Sequence, residues 1–273
     1  NKLIVSIDDT VLDKPYSQHM DLVSYFWSGK HHRSVKGINL ITLYATDQNG
    51  QNIPINFRIY DKSEGKTKND YFMDMLSEVL SWGAKIQFIT GDSWYSSTGN
   101  LKTIRKYGIR FMFGIDCNRK VSPEKGQWFQ LRLLPDFHQG QVVWLKDFGF
   151  VQLFKTQLKE QQRFYIVHQD EDDLLSFEGF HELHSSHWKI EQYHRVIKQV
   201  CHIEKFQVRR SKLILNHIFA ALMAYVEIQK NQFERIFENV YRWQKKLFRP
   251  IIKDFIDDFI LDKNHLLPQR IYK

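Results

Sequence analysis

Cysteine is nearly absent from this sequence, and its scarcity excludes two classes of protein. Cys117 and Cys201 are the only cysteines among 273 residues, and they lie far apart, outside any Cys-x-x-Cys spacing. A disulfide framework and a zinc knuckle both need more cysteines at closer spacing. We expect neither, and a reducing cytosol is the expected compartment.

Long apolar runs are also lacking. The longest extends from Leu213 to Ile228 and is interrupted by Asn216 and His217. It is shorter than the about 20 residues that a membrane-spanning helix needs, which favours a core helix. The sequence opens on a strand-like segment, without the charged and apolar regions of a secretory signal. We therefore expect no membrane partner.

Positive charge is abundant by contrast. The formal net charge is +8 and the hydrophobic fraction is 42%, with an isoelectric point near 9.3. A chain of this size and apolar content can bury a substantial core. The charge favours an anionic partner, nucleic acid before a membrane, with a merely soluble basic protein as the alternative.

Five segments are rich in β-branched and aromatic residues and are bounded by turn residues, which is typical of strands. They are Leu3–Asp9, Gly37–Thr46, Ile53–Tyr60, Ile86–Thr90 and Arg110–Ile115. The Asn49-Gly50 pair predicts a hairpin between the second and the third. Helical spacing of apolar residues predicts helices over Asn69–Trp82 and Ser97–Tyr107, each followed by a glycine.

Three strands, helix, strand, helix, strand is the order of an RNase H-like α/β fold, a mixed five-stranded sheet flanked by helices. The next stretch alternates aromatic and polar residues, which predicts a small β insertion. Helices are expected afterwards, beginning at the acidic run Asp170–Asp173. We divide the chain into a first core part (1–119), a β-rich insertion (120–170), a second core part (171–231) and a C-terminal helical appendage (232–273).

The segment HSSHWKIEQYHRVIK sets one carboxylate, Glu191, into a stripe of polar and basic side chains. Residues three, four and seven apart share a helical face. The stripe comprises His184, His187, Glu191, His194 or Arg195, and Lys198. Two more carboxylates, Asp9 and Asp92, follow strands that lie side by side in an RNase H-like sheet. We therefore expect Asp9, Asp92 and Glu191 to meet at one edge of the sheet.

Three clustered carboxylates suit phosphoryl transfer. Cutting a phosphodiester requires charge neutralisation on the attacking and leaving oxygens, which two divalent ions supply. Mg²⁺ binds through a few carboxylates plus waters. Each acid also has an ordinary explanation. Asp8-Asp9 can end a strand in a turn, and Asp92 can precede a capped helix. Glu191 can pair with Arg195 on an exposed helix face.

The motifs DDT and GD, followed by W-x-I-E-x-Y-H-x-x-x-K, resemble the DDE transposases of bacterial insertion sequences, in the cut-and-paste group with a Tyr-Arg-Glu-Lys signature. The resemblance covers about Leu3 to Lys230. It implies that Asp9, Asp92 and Glu191 bind two Mg²⁺ ions, for which Mn²⁺ can substitute. It also implies DNA strand cleavage and strand transfer at insertion-sequence ends, by a homodimer on double-stranded DNA in a bacterial or archaeal cytoplasm, at the nucleoid.

The resemblance also implies DNA contacts. The signature Lys falls on Lys198, which would grip a phosphate. The signature Tyr and Arg positions hold His184 and His187, whose imidazoles titrate near neutrality. Trp188 lies where members of this group can carry an aromatic residue that supports a flipped base. Further candidate phosphate contacts, with a solvated basic face as the alternative, are Arg195, Lys205, Arg209 and Arg210.

Other functions stay open. Another RNase H-like nuclease would use the same acids without joining strands, and an inactive or domesticated remnant would bind DNA without cutting it. Such transposases usually carry an N-terminal DNA-binding domain, so a fragment or a catalytic core is expected. The pairs Glu178-x-x-His181 and Glu191-x-x-His194 have the spacing of di-iron bundles. On one continuous helix the two pairs cannot face each other, which disfavours a di-iron protein.

Overall fold

The computed structural model describes residues 2–29, 31–124, 126–135, 137–158, 161–169 and 173–266. The chain falls into two compact units, residues 1–226 and 227–273. In the first unit β1 spans Leu3–Asp13, β2 Ser24–Ser28, β3 Arg33–Thr46, β4 Asn52–Ile59, α1 Lys68–Ser81, β5 Ile86–Gly91, α2 Thr98–Lys106 and β6 Arg110–Ile115. The strands β7 Lys120–Ser122, β8 Phe129–Gln130, β9 Gln141–Leu145, β10 Gly149–Leu158 and β11 Gln161–His168 follow, then the helices α3 Phe177–Gln199, α4 Ser211–Phe233 and α5 Val240–Leu266. The predicted four-part division of the chain stays a prediction.

The five predicted strands form the centre of the sheet in the expected order. β1 pairs antiparallel with β3, and β3 pairs antiparallel with β4. On its other side β1 pairs in parallel with β5, and β5 with β6. The predicted hairpin joins β3 to β4, with Gly50 at a φ of 83°, a left-handed conformation that glycine adopts without steric cost. The predicted mixed α/β class is confirmed.

The sheet is wider than predicted. β11 pairs antiparallel with β6, and β10, β9, β7 and β8 continue outward, so the described residues build eleven strands rather than five. The predicted insertion is therefore β-rich, but it extends the central sheet. β2, which pairs with β3, was not predicted. Both differences depend on pairing between strands that are distant in sequence, which local alternation does not encode.

One face of the sheet is covered by α1 and α2. Thr67 caps α1 in a reciprocal hydrogen-bond pair with Asp70, which satisfies exposed amides of the first turn. From this helix Phe72, Met75 and Leu76 are fully buried against the sheet. Each contributes about 2 kcal/mol through removal of apolar surface from water. This packing places Lys68, at the start of α1, beside Asp9 in the interior of β1.

The other face is covered by α3. Ser176 caps this helix by accepting a hydrogen bond from the Gly179 amide, and Phe180 stacks on Phe154 of β10 at 4.4 Å between ring centroids. The predicted helix start at Asp170–Asp173 is wrong for its described residue. Asp173 lies outside the helix and forms an ion pair with Arg110 at 3.1 Å, while residues 170–172 lie outside the described part.

The helix α4 follows α3 and is the core helix predicted for the longest apolar run. Its Tyr225 hydroxyl lies 2.6 Å from the Tyr44 hydroxyl of β3, and both side chains are buried. Among the described residues α4 alone has the length and hydropathy to cross a membrane, with a third of that window buried in the protein. The buried contact with β3 is typical of a helix packed on a sheet. In the second unit, α5 carries Pro250 in its interior.

Candidate active site

Two neighbouring acids of β1 point to opposite faces of the sheet, as successive residues of a strand do. Asp8 lies on the face covered by α3, where its Oδ2 is 3.4 Å from Nδ1 of His194. Asp9 lies on the face covered by α1, where it accepts a hydrogen bond from Lys68. Only one of the two can therefore share a cluster with the acid of α3.

Asp8 forms that cluster with Glu191 and His194. Each of the three residues offers one ligand atom, and these atoms all lie within 4.8 Å of one another. Glu191 and His194 are one helical turn apart on α3, so they face the same way. The cluster joins the strand to the helix and lies next to the loop that carries Asp92.

The electrostatics of this cluster are unfavourable for charged acids. Burial, followed by the charge of Asp9, raises the pKa of Asp8 to about 7. Burial and then the charge of Asp8 raise the pKa of Glu191. The pKa of His194 is lowered to about 4, chiefly by burial, so this imidazole is neutral near pH 7. Near neutral pH the cluster therefore favours an added proton or a bound cation.

Asp92 follows β5 and caps the short 3-10 turn Ser93–Tyr95, accepting a hydrogen bond from the Trp94 amide at 3.0 Å. Its pKa is raised to about 7 by desolvation, then by the charges of Asp8 and Asp9. Because Asp92 keeps an exposed surface, its desolvation is incomplete, and repulsion from the two acids adds to it. The charge of Asp8 thus helps to raise the pKa of both Asp92 and Glu191.

Two glycines make room for the Asp92 turn. A Cβ atom on Gly91 would lie 2.6 Å from the Phe113 ring and 2.7 Å from Ile7. A Cβ on Gly114 of β6 would lie 3.0 Å from the Ser93 amide nitrogen and 3.3 Å from the Asp92 carbonyl carbon. The turn that presents Asp92 is therefore seated directly on the neighbouring strand.

The carboxylate of Asp9 accepts hydrogen bonds from three side chains. Its Oδ2 accepts hydrogen bonds from Asn39 Nδ2 at 2.6 Å and Lys68 Nζ at 2.7 Å, and its Oδ1 accepts one from the Tyr95 hydroxyl at 2.9 Å. Lys68 also lies over the exposed ring of Trp94, 5.3 Å from its centroid. Asp9 thus ties β1 to the start of α1 and to the Asp92 turn.

The donor set fits a divalent cation. Clustered carboxylate oxygens bind Mg²⁺ and Mn²⁺, and a neutral imidazole is a common metal ligand. Asp8, Glu191 and His194 supply such atoms within one small region, and a cation there would relieve the repulsion among the acids. Among the described residues Asp92 lies outside this group of ligand atoms, and it is linked to the group by the charge of Asp8, which after desolvation raises the pKa of Asp92.

A sequence profile of the family described as transposase DDE domain matches residues 1–226. The chain belongs to this family. Its predicted resemblance to DDE transposases is confirmed, and the match ends where the first compact unit ends. No curated protein sequence matches significantly.

Among solved structures, piggyBac transposase, in a synaptic complex with hairpin DNA, is similar over 98% of this chain, with a TM-score of 0.54 and 14% identity. This chain spans about half of that longer protein, 55%. An Argonaute of Marinitoga piezophila, bound to guide RNA and target DNA, gives a TM-score of 0.24 at 8% identity, over 63% of this chain and 23% of its own. That likeness is too weak to indicate a shared fold.

His184 and His187, which hold the signature Tyr and Arg positions, form hydrogen-bond contacts with side chains of the sheet. His187 Nδ1 is 3.1 Å from the Thr90 hydroxyl, and His184 Nε2 is 3.0 Å from the Tyr165 hydroxyl. Burial lowers the pKa of both, that of His187 to about 4. Their phosphate contacts stay predictions, and these geometries give both histidines a structural role.

Lys198 is also engaged within the protein. Its Nζ donates a hydrogen bond to the Val11 carbonyl at 2.6 Å and lies 3.2 Å from Glu204 Oε1. In this arrangement it fastens α3 to β1, so a grip on phosphate would require it to move. The remaining predicted DNA contacts are exposed. They are Trp188, Arg195, Lys205, Arg209 and Arg210.

Three features of the site escaped the sequence reasoning. Asp9 and not Asp8 is predicted as a metal ligand, although strand alternation places these two neighbours on opposite faces and makes both of them candidates. His194 is predicted only as a possible member of the polar stripe and for its spacing from Glu191, with no metal-binding role in this site. Lys68 and Tyr95 gave no local signal, because their partner Asp9 is 59 and 86 residues away.

Proposed function

We propose that this chain is the catalytic domain of a transposase, which cleaves DNA strands and transfers the freed ends through divalent metal ions bound by Asp8, Asp92 and Glu191. One observation carries the proposal. Ligand atoms of Asp8, Glu191 and His194 lie within 4.8 Å of one another, in a chain whose residues 1–226 match the transposase DDE domain family.

Divalent ions held there would neutralise charge on the attacking and leaving oxygens of an in-line displacement and activate water or a 3′-hydroxyl. The protein's part is positioning. The Asp9 contacts hold the Asp92 turn against β1, and Lys198 holds α3 on the same strand. Asp8 and Asp92 are thereby presented toward Glu191 from rigid elements, which favours a reproducible geometry for catalysis.

The resemblance to insertion-sequence transposases assigns the first acid to Asp9. Geometry supports Asp8 instead, because Asp8 lies in the cluster with Glu191, whereas the carboxylate of Asp9 accepts three hydrogen bonds on the opposite face. We propose Asp8 as the metal ligand and Asp9 as a positioning residue. Separate substitution of each acid distinguishes the two assignments.

The proposed substrate is double-stranded DNA at the ends of an insertion sequence. The formal net charge of +8 and the exposed basic residues after α3 support an anionic partner. The structurally similar piggyBac transposase forms a synaptic complex with hairpin DNA. By analogy we propose a homodimer that holds both transposon ends, in the cytoplasm at the nucleoid.

The test is a nicking and strand-transfer assay on labelled duplex DNA with Mg²⁺ or Mn²⁺. Asp8→Asn, Asp92→Asn and Glu191→Gln should each remove cleavage while DNA binding persists. Asp116→Asn, at an exposed acid after β6, is the matched control and should keep wild-type activity.

Three outcomes separate the candidate functions. Cleavage with joined products supports the transposase. Cleavage without joined products indicates an RNase H-like nuclease, and DNA binding without cleavage by the wild type indicates an inactive remnant. Cleavage that survives in all three acid variants would rule out the proposed site.

A further inference from the structure

We infer that His194 is a ligand of the divalent ion bound between Asp8 and Glu191, and that this site favours Mn²⁺ over Mg²⁺. The inference rests on the proposed function, in which the carboxylates hold metal. It adds a nitrogen donor to that set and names the class of metal ion the site selects.

Geometry places His194 within reach of such an ion. Glu191 and His194 lie on one side of α3, and Asp8 faces them from β1, with one ligand atom from each residue inside a span of 4.8 Å. Adjacent ligand atoms around an octahedral ion with bonds of about 2.1 Å lie about 3 Å apart. Binding therefore requires the three side chains to close by an ångström or two, which is within the range of rotamer adjustment.

The state of the His194 ring supports a ligand role. The residue is only 6% exposed, and its Nε2 has no hydrogen-bond partner among the described residues. Its Nδ1 is 3.4 Å from Asp8, longer than a normal hydrogen bond. Nδ1 is the ring nitrogen that lies toward Asp8, so a cation held between the two acids would be bound through Nδ1.

The other two histidines of this stretch of α3 provide the contrast. His187 pairs with Thr90 at 3.1 Å and His184 with Tyr165 at 3.0 Å. Both have ordinary partners, whereas Nδ1 of His194 lies 3.4 Å from Asp8 and its Nε2 has no partner within the described part of the chain. A metal ion bound by Nδ1 and by both carboxylates would give that nitrogen a partner.

A nitrogen ligand changes the metal preference. Mg²⁺ is bound by oxygen ligands and retains several waters, whereas imidazole suits first-row transition metals. A set of two carboxylates and one imidazole therefore favours Mn²⁺ over Mg²⁺ at this site. Asp92 and solvent would complete the coordination on the exposed side.

The experiment is Mn²⁺ electron paramagnetic resonance on the intact chain. Electron spin-echo modulation from ¹⁴N detects an imidazole nitrogen bonded to Mn²⁺, and the free-ion signal gives the affinity. We expect ¹⁴N modulation in the wild type and in His187→Gln. We expect its loss in His194→Gln, with Mn²⁺ binding weaker by about tenfold and Mg²⁺ binding little changed.

His194→Asp is the second variant, because it returns an oxygen donor to the site. It should bind Mg²⁺ more tightly than His194→Gln does, without ¹⁴N modulation. If both variants fail to fold by circular dichroism, wild-type protein with ¹⁵N-labelled histidine decides, because coordination would replace the ¹⁴N pattern by that of ¹⁵N.

The possible failures are distinguishable. Mn²⁺ bound to the wild type without nitrogen modulation would overturn the ligand role of His194 and leave the carboxylate site standing. Modulation lost in His187→Gln but kept in His194→Gln would also overturn it. A wild-type chain that binds no Mn²⁺ at all would remove the proposed function as well.

Discussion

Two adjacent acids on opposite faces of β1 have contrasting environments. On one face, Asp9 receives hydrogen bonds from Asn39, Lys68 and Tyr95, all at 2.9 Å or less. On the other, Asp8 faces Glu191 and a neutral His194, and its pKa is raised to about 7. The carboxylate of Asp9 is fully hydrogen-bonded and therefore stabilises the fold. The carboxylate of Asp8 lies beside another acid and is therefore suited to binding a cation.

The energies behind this difference are substantial. Two carboxylates about 5 Å apart repel by about 3 kcal/mol at an effective dielectric constant of about 20. A cation between them reverses the sign of that interaction. On the Asp9 face the ammonium of Lys68 already does so, with both side chains of the pair more than four-fifths buried. The repulsion between Asp8 and Glu191 therefore remains until a metal ion binds between them.

The largest expected effect separates Asp8 from Asp9 in catalysis. Asp8→Asn should lower the rate of Mn²⁺-dependent DNA nicking by about a thousandfold, because it removes a metal ligand from the reacting centre. Asp9→Asn should retain Mn²⁺ binding and lose much less activity. Single-turnover nicking with parallel Mn²⁺ titration measures both effects. The reverse result, metal binding lost only in Asp9→Asn, would return the ligand role to Asp9.

The second prediction concerns stability on the Asp9 face. Asp9→Asn leaves Lys68 without its counter-charge in a mostly buried site, so the free energy of unfolding should fall by about 2–3 kcal/mol. Asp8→Asn should instead raise it slightly in the absence of metal, since it removes a repelling charge. Urea unfolding with EDTA present measures both. A stabilising Asp9→Asn would contradict the fastening role.

The third prediction concerns His187, which lies on the same face of the sheet as Asp8 and has a hydrogen-bond partner. His187 contacts Thr90, which in turn lies 2.8 Å from the Ser6 hydroxyl. Its pKa is lowered to about 4 from 6.5, chiefly by burial. The folded state therefore binds fewer protons than the unfolded state between those values, and this contribution to stability is lost as the pH falls from about 6.5 toward 4.

His187→Gln should remove that dependence. The stability advantage of the wild type over the variant should be smaller at pH 5 than at pH 7.5 by about 1–2 kcal/mol. Urea unfolding at the two pH values measures the difference, and Ser185→Ala, at an exposed position of the same helix, is the control. An advantage that grows as the pH falls would show that the buried imidazole is protonated.

Local patterns were enough to predict the centre of the fold and to single out Asp92 and Glu191, whose metal-binding role stays a prediction. The five central strands, α1 and α2 have strong periodicity, and Asp92 and Glu191 follow from strand ends and helix spacing. The outer strands and the choice between Asp8 and Asp9 could not be predicted, because both depend on contacts between distant segments. The donors Lys68 and Tyr95 reach Asp9 only once the sheet has formed.

The smallest expected effect tests how closely the Asp92 turn rests on β6. Gly114→Ala places a Cβ 3.0 Å from the Ser93 amide nitrogen, so the turn must shift by a few tenths of an ångström and Asp92 moves with it. Because catalysis depends on precise placement, nicking should slow by about tenfold while the fold persists. Gly99→Ala is the matched control, since nothing lies within 4 Å of its added Cβ. That helical position should tolerate alanine or gain up to about 1 kcal/mol. Equal activity in the two variants would indicate that the turn adapts freely and that the position of Asp92 is set from the Asp9 side alone.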